Sequence, residues 1–205
     1  MTEWSWHVAG DPELAPSRDP ERSRRRLLQL PEHAARRAEV LDALREHASA
    51  LADRGTAPGH LTASGVVVDA GRSRVLVLRH RKLRRWLQPG GHADGDHELA
   101  AVALKEATEE TGIEGLAVLV PAIHLDVHEV DHGDPLGAHR HLDLRFLVAA
   151  PPGAVERGNH ESTALRWVTP EELRDLSGDA DLVELARTAL AVASAAPPPP
   201  LGWLG

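Results

Sequence analysis

Residues 89–113 read PGGHADGDHELAAVALKEATEETGI, a glycine-rich loop followed by a helical pattern that ends in carboxylates. Apolar or small residues at positions 99, 100, 103 and 107 recur at the spacing of one buried helical face. Asp96 is a residue type that caps helix N-termini, and Gly112 supplies a C-terminal stop. The stretch therefore predicts a helix of about four turns that begins after Asp96.

Three glutamates lie on one face of this predicted helix. Glu106, Glu109 and Glu110 stand at i, i+3 and i+4, so their carboxylates are neighbours within one turn. Like charges at this spacing repel, and near a helix C-terminus they also oppose the helix dipole. A divalent cation would remove that repulsion, and an all-oxygen donor set suits a hard ion such as Mg²⁺. A solvated acidic helix end is the alternative.

The whole segment resembles the Nudix box, G-x5-E-x7-R-E-U-x-E-E-x-G-U, in which U is a bulky apolar residue. The positions that match the box are Gly91, Glu106, Glu109, Glu110, Gly112 and Ile113. The positions that depart from it are His97 at the first glutamate, Lys105 at the arginine and Ala107 at the first U. Asp96 or Glu98 would supply the missing carboxylate if the loop were shifted by one residue. Lys105 keeps the charge of the arginine but loses its bidentate fork.

This resemblance covers about residues 60–178 and implies an α/β fold, the Nudix α/β/α sandwich with a mixed sheet. It also implies hydrolysis of a diphosphate linked to another moiety. Mg²⁺, with Mn²⁺ as a second choice, would be held by Glu106, Glu109 and Glu110 with the carbonyl of Gly90 or Gly91. The ion would neutralise phosphate charge and lower the pKa of a bound water that attacks phosphorus.

The resemblance also implies the catalytic residues. Glu106 and Glu109 belong to the box, and a further glutamate of the family often reaches the metal site from the region before the late strand. Glu161 is the candidate here and Glu156 its rival. Either Glu109 or Glu161 would accept the proton of the attacking water.

Two other functions are weighed against the hydrolase. A catalytically weak binding or regulatory protein of the same fold is favoured by His97 and opposed by the complete carboxylate set. An isomerase acting on an isoprenoid diphosphate is opposed by the absence of cysteine, since those Nudix enzymes use one. Nothing in the sequence selects a nucleotide sugar over ADP-ribose, a nucleoside triphosphate, a dinucleoside polyphosphate or a coenzyme.

Cationic side chains precede the glycine-rich loop. Lys82, with Arg84 or Arg85, crowds the approach to residues 86–89. We predict that these cations, together with His92 in the loop, contact substrate phosphates. Plain surface charge is the alternative.

Composition limits the class of protein. The 205 residues suffice for one domain of about 150 residues with an appendage. A net charge of −8 argues against a general nucleic-acid binder, and the absence of cysteine excludes disulfides and zinc–thiolate sites. Neither a signal peptide nor a membrane span is recognisable, so we expect a cytoplasmic protein without a membrane partner.

The chain divides into an N-terminal helical extension (residues 1–55), a Nudix domain (56–196) and a proline-rich tail (197–205). Residues 1–16 are interpreted as irregular, and residues 31–54 as a helix with an apolar stripe. That stripe comprises Ala34, Ala38, Leu41, Leu44, Ala48 and Leu51. We expect it to pack on its own chain, with a homodimer as the alternative.

Strands are predicted at 62–69 and 74–80 as a hairpin, and at 116–130, 141–150 and 165–168. Helices are predicted to begin at Thr169 and to span 180–196. Alternation places polar side chains on one face of two strands: His124, Asp126 and His128, and His141, Asp143 and Arg145. A transition-metal site and a hydrogen-bonded polar wall are the two interpretations, of which the wall is favoured.

Overall fold

A computed structural model describes residues 3–30, 36–130 and 137–199. Within these ranges nine strands form one sheet: β1 Ser5–Val8, β2 Gly59–Val68, β3 Val75–His80, β4 Trp86–Leu87, β5 Gly90–His92, β6 Ala117–Val120, β7 His124–Val130, β8 His139–Ala149 and β9 Ser162–Val168. The α-helices of the same ranges are α1 Pro20–Leu28, α2 Arg37–His47, α3 Leu99–Thr111, α4 Pro170–Ser177 and α5 Ala180–Ala195.

Strand β2 is the centre of the sheet, and all ten of its residues are buried. It pairs in parallel with β8 along its whole length, from Gly59 opposite Arg140 to Val68 opposite Ala149. On its other side it pairs antiparallel with β5 and, near its end, with β3. The sheet is therefore mixed, as predicted, and the hairpin of β2 and β3 is confirmed.

Helices cover both faces of the sheet. On one face α3 lies against β2, where a Cβ added at Gly65 would meet the Ala103 carbonyl and the Ala107 methyl at 3.2 Å, so glycine permits this close approach. On the other face Val66 and Val68 pack in one cluster with apolar residues of α5. This arrangement confirms the predicted α/β/α sandwich.

The N-terminal helices complete the layer that contains α3. Leu27 of α1, Val40 and Leu44 of α2, and Leu51 of the 3₁₀ helix Ala48–Ala52 are buried in the same cluster as α3. The predicted helix of residues 31–54 is thus α2 followed by a 3₁₀ turn, while Pro31 and Ala34 lie outside the described residues. The expectation that the stripe packs on its own chain holds for Leu44 and Leu51.

Two predicted elements are wrong, and one confirmed helix has a different first residue. Residues 1–16 contain β1, which pairs antiparallel with β6 from Ser5 opposite Val120 to Val8 opposite Ala117. The strand predicted over 116–130 is two strands, β6 and β7, because Pro121 between them has no N–H for a ladder hydrogen bond. Helix α3 begins at Leu99 rather than directly after Asp96.

Among the described residues, no helix combines the length and the apolar character that crossing a bilayer requires.

Candidate active site

Strand β5 brings two glycines against the carboxylates of α3. The Gly90 N–H donates a hydrogen bond of 2.8 Å to Oε2 of Glu110, whose residue is 6% exposed. A Cβ added at Gly91 would lie 2.5 Å from Oε2 of Glu106, so only glycine leaves room for that carboxylate. Glu109 lies one turn from Glu106 on the exposed side of the helix. The backbone of β5 and the acidic face of α3 therefore form one site.

The surroundings of this site disfavour the charged form of its carboxylates. The pKa of Glu110 is raised to about 7, chiefly by burial and also by the charges of Glu106, Glu161 and Glu109, while the hydrogen bond from Gly90 opposes the shift. Burial also raises the pKa of Glu106. Part of the repulsion is relieved by Lys105, whose Nζ lies 3.1 Å from Glu106 Oε1 and 3.8 Å from Glu109 Oε2. Lys105, which occupies the arginine position of the box, thus attracts both carboxylates as a point charge.

The donor set fits a hard divalent cation. It consists of carboxylate oxygens and the backbone next to Gly91, the ligand type that Mg²⁺ and Mn²⁺ prefer. Burial of Glu110 and the close approach of Gly91 to Glu106 set these carboxylates against the backbone of β5 rather than at a solvated helix end. A cation there would offset the repulsion that raises the pKa of Glu110.

Glu161 belongs to the surroundings of this site, whereas its rival is occupied elsewhere. The charge of Glu161 contributes to the raised pKa of Glu110, and its carbonyl accepts a 2.8 Å hydrogen bond from the Arg81 N–H. Glu156 Oε2 instead accepts a 3.0 Å hydrogen bond from Nε1 of Trp167. These contacts favour Glu161 as the further carboxylate.

The residues around the first box glutamate all bind the N-terminal segment. His97 is fully buried, with Nδ1 2.9 Å from Ser23 Oγ and Nε2 3.1 Å from the Ser49 carbonyl. Glu98 Oε1 accepts a 2.8 Å hydrogen bond from Nε of Arg26. The Asp96 carboxylate accepts hydrogen bonds from the N–H groups of residues 17 and 98. These three residues join the N-terminal segment to α3, and their contacts account for them without shifting the loop by one residue.

Substituting His97 with Gln is expected to lower the free energy of unfolding by about 1–2 kcal/mol, because one of two buried hydrogen bonds is lost. At a temperature where the variant stays folded, kcat/KM is expected to match that of the native chain. Urea unfolding and turnover check the two statements, with Glu171→Gln, an exposed site on α4, as the control. A loss of turnover at unchanged stability would contradict this structural role.

The predicted phosphate-binding arginines lie beside the turn between α4 and α5. Arg84 and Arg85 line a cavity of about 550 Å³ together with Trp86 and Asp179. Nη2 of Arg85 donates a 2.7 Å hydrogen bond to the carboxylate of Asp179, and Lys82 is exposed in the same loop. Contact of these cations with substrate stays a prediction.

A polar wall lines the sheet face that His92 joins. In β7 and β8, Asp126 lies opposite Asp143. Arg145 donates 2.7 Å hydrogen bonds to both carboxylates, and Thr62 and Ser64 of β2 donate to Asp143. This part of the face is the hydrogen-bonded wall that the favoured interpretation predicts. His60, which is fully buried at the other end of the wall, is a residue that the sequence reasoning missed.

Comparison with known proteins places this geometry in a family. A model of the NUDIX domain matches residues 59–188, which is more than half of the chain. The chain belongs to the Nudix family. A MutT-like protein of Streptomyces ambofaciens is 29% identical over 125 residues, covering 61% of this chain and 73% of that protein. The RNA pyrophosphohydrolase of Novosphingobium aromaticivorans is 31% identical over 127 residues, covering 55% of this chain and 79% of its own length.

Solved structures share the Nudix fold. A C. elegans Ap4A hydrolase in a binary complex has a TM-score of 0.57 at 20% identity, covering 66% of this chain and 98% of that one. A Nudix hydrolase from Clostridium perfringens has a TM-score of 0.53 at 21% identity, covering 65% and 97%. Together with the relatives, the family model confirms the prediction of a Nudix pyrophosphohydrolase.

Proposed function

We propose that this Nudix enzyme hydrolyses a diphosphate linkage in a nucleoside diphosphate-linked or related small molecule, with Mg²⁺ as its ion and Mn²⁺ as a substitute. The observation that carries the proposal is the approach of Glu106 and Glu110 to the Gly90–Gly91 backbone. A helix end that served only solubility would not bury Glu110 at 6% exposure beside other carboxylates.

Each carboxylate has a distinct role in the proposal. Glu106, Glu109 and Glu110, with the backbone of Gly91, hold the ion. When bound, the ion supplies neutralising charge for the diphosphate and makes water more acidic. Glu109 is exposed, so it is placed to accept the proton of the attacking water, with Glu161 as the second candidate. Lys105 keeps Glu106 and Glu109 oriented.

Substrate contacts complete the proposal. Lys82, Arg84 and Arg85 contact the phosphates, whereas His92, predicted from the sequence as a further contact, lies on the face of β5 opposite to Glu106 and is left out of this role. The names of the relatives include RNA pyrophosphohydrolase and putative 8-oxo-dGTP diphosphatase, so nucleotides with consecutive phosphates are the substrate class to test first. The net charge of −8 argues against general nucleic-acid binding. We also propose a cytoplasmic location. The chain is proposed to be a monomer with a homodimer as the alternative, and its sedimentation in solution would distinguish the two.

The binding-protein alternative loses the feature that favoured it. That alternative was supported by His97, which occupies the position of the first box glutamate and would be a weakened metal ligand there. The imidazole of His97 binds Ser23 and Ser49, so its presence is explained by packing of the N-terminal segment.

Turnover of a panel of diphosphate compounds tests the proposal. The panel contains 8-oxo-dGTP, Ap4A, ADP-ribose and a nucleotide sugar, each assayed with Mg²⁺, with Mn²⁺ and with EDTA for release of phosphate, pyrophosphate or nucleoside monophosphate. We expect metal-dependent turnover of one class, lowered at least about 100-fold in Glu109→Gln. Glu171→Gln, which removes an exposed charge on α4, is the matched control and is expected to retain activity.

Either of two results would contradict the hydrolase. Turnover by Glu109→Gln equal to that of the control would remove the carboxylate from the chemistry. Absence of turnover across the panel, with Mg²⁺ binding retained, would favour the binding protein.

A further inference from the structure

Five imidazoles crowd one end of the polar wall. They are His60 of β2, His92 of β5, His128 of β7, and His139 and His141 of β8. Neighbouring ring centroids lie 4.9–5.6 Å apart. Imidazole is the commonest transition-metal ligand in proteins, and such crowding brings several into reach of one ion.

The register of the sheet produces the cluster. His60 lies opposite His141 in the parallel pair of β2 and β8. His92 lies opposite Thr62, which places it diagonally next to His60. Successive strand residues point to opposite faces, so His92 points away from the face on which Gly91 meets Glu106. The imidazoles and the glutamates of α3 are therefore separated by the backbone of β5.

Two members of the cluster have buried nitrogens without hydrogen bonds. Within the part of the chain that the structure describes, both ring nitrogens of His60 and Nε2 of His141 are buried without a hydrogen bond of normal geometry, and for His60 only a weak approach of the Thr56 backbone is present. The ring of His60 is completely buried. Burying an unsatisfied polar atom costs about 1–3 kcal/mol, so such atoms call for an explanation.

The other two imidazoles on β7 and β8 are held by the protein. Nδ1 of His139 lies 2.8 Å from the Gly137 carbonyl. Nδ1 of His128 lies 2.9 Å from the Asp126 carboxylate. These contacts distinguish His128 and His139 from His60 and His141.

Both unsatisfied imidazoles are in the form that binds metals. Burial, together with the neighbouring histidines, lowers the pKa of His60 to about 4 and that of His141 to about 3. At neutral pH these rings are neutral, and a neutral imidazole offers a lone pair to a cation without first losing a proton.

We propose that His60, His92 and His141 bind a transition-metal ion, of which Zn²⁺ fits best. One ring nitrogen from each lies within 4.8 Å of the others. Tetrahedral zinc with Zn–N bonds of 2.0–2.1 Å places ligand nitrogens about 3.3 Å apart, so small side-chain rotations close the site. The three nitrogens satisfy a borderline-soft ion and leave one position open, whereas Mg²⁺ prefers the oxygens on the other side of β5.

Metal binding by the full-length chain tests this site. After EDTA treatment and buffer exchange, Zn²⁺ is titrated by calorimetry and by competition with a chromogenic chelator, and Co²⁺ replaces Zn²⁺ for visible spectroscopy. We expect one tight Zn²⁺ site per chain and the intense visible bands of four-coordinate Co²⁺. Zn²⁺ is also expected to raise the unfolding temperature, because it binds the folded state.

Variants locate the ion. His92→Gln and His141→Gln are expected to weaken Zn²⁺ binding at least about 100-fold each, since even outer-shell changes cost 10–100-fold. His160→Gln removes an exposed histidine outside the cluster, one of 13 in the chain, and is expected to change nothing. Glu109→Gln is also expected to retain the tight site, because it alters only the carboxylates.

The proposal is overturned by any of several outcomes. These are the absence of tight Zn²⁺ binding, the weak spectrum of six-coordinate Co²⁺, and full affinity in both histidine variants. A loss of affinity in Glu109→Gln would place the zinc at the carboxylates instead. Because the wild-type Co²⁺ spectrum needs no variant, a folding defect in either variant leaves the site testable.

Discussion

Glu110→Gln is expected to lower kcat/KM by at least about 100-fold while making the metal-free protein more stable at pH 8. The loss follows because a proposed ligand of the ion becomes neutral. The gain follows because Gln removes a buried charge and its amide oxygen still accepts the hydrogen bond from Gly90. The two effects have opposite signs, and a purely structural residue would not show both.

The pH dependence of this stability gain has a defined direction. The folded pKa of Glu110 is raised to about 7, from an ordinary value of 4.5. Between these pH values the unfolded chain has released a proton that the folded chain keeps, so native stability falls as pH rises. The Gln variant is therefore expected to match the native chain near pH 4 and to exceed it by about 3 kcal/mol at pH 8.

Urea unfolding in EDTA at pH 4, 6 and 8 measures this difference. Glu171→Gln serves again as the exposed control and is expected to stay within about 0.5 kcal/mol of the native chain at each pH. Saturating Mg²⁺ is expected to stabilise the native chain more than the Glu110 variant. A variant that is less stable than the native chain at pH 8 would show that the Glu110 carboxylate stabilises the metal-free fold.

Arg26→Met is expected to lower the free energy of unfolding by about 3 kcal/mol or more. Nε of Arg26 donates a 2.8 Å hydrogen bond to Glu98, whose side chain is completely buried. Removing the guanidinium leaves a buried carboxylate whose remaining ion pair, among the described residues, is with Nη1 of Arg22 at 3.7 Å. Breaking a buried pair costs about 3–5 kcal/mol, because the remaining charge has lost both water and partner.

A matched control lies on the same helix. Arg24 pairs with Glu21 at 2.8 Å, but both side chains are about half exposed. Arg24→Met is expected to change stability by less than about 1 kcal/mol, and Arg26→Met/Glu98→Gln is expected to recover most of the loss. Chemical denaturation of the native chain, Arg26→Met, Glu98→Gln and the double variant measures the coupling between Arg26 and Glu98, with Arg24→Met as the exposed control. Equal effects of Arg24→Met and Arg26→Met would contradict the importance of burial.

The sequence predicted the parts of the site that depend on local spacing. The positions of Glu106, Glu109 and Glu110 on one helical face follow from 3.6 residues per turn. Gly112 ends α3 as predicted, and it does so in the left-handed conformation. Alternation along β7 and β8 correctly grouped Asp126, Asp143 and Arg145 on one face. These regularities need no knowledge of distant partners.

What the sequence did not predict depends on contacts between distant segments. His97 looks like a defective ligand until Ser23 and Ser49 are placed beside it. His60 stood outside the predicted strand, since β2 begins at Gly59 rather than at residue 62. The four residues of β1 are too few to show a period, and their identity as a strand depends on β6.

The long-range pairing of the sheet also determines when this protein folds during its synthesis. The central strand β2 cannot pair with β8 until Arg140, the partner of Gly59, has been synthesised. Likewise, β1 cannot complete its pairing with β6 until Val120 has been synthesised. Until then the apolar residues of β2, which are buried in the folded protein, lack the neighbouring strand β8. Chains dominated by such distant contacts fold slowly and expose aggregation-prone surface meanwhile. Expression at low temperature or with chaperones is therefore expected to increase the soluble yield of this enzyme.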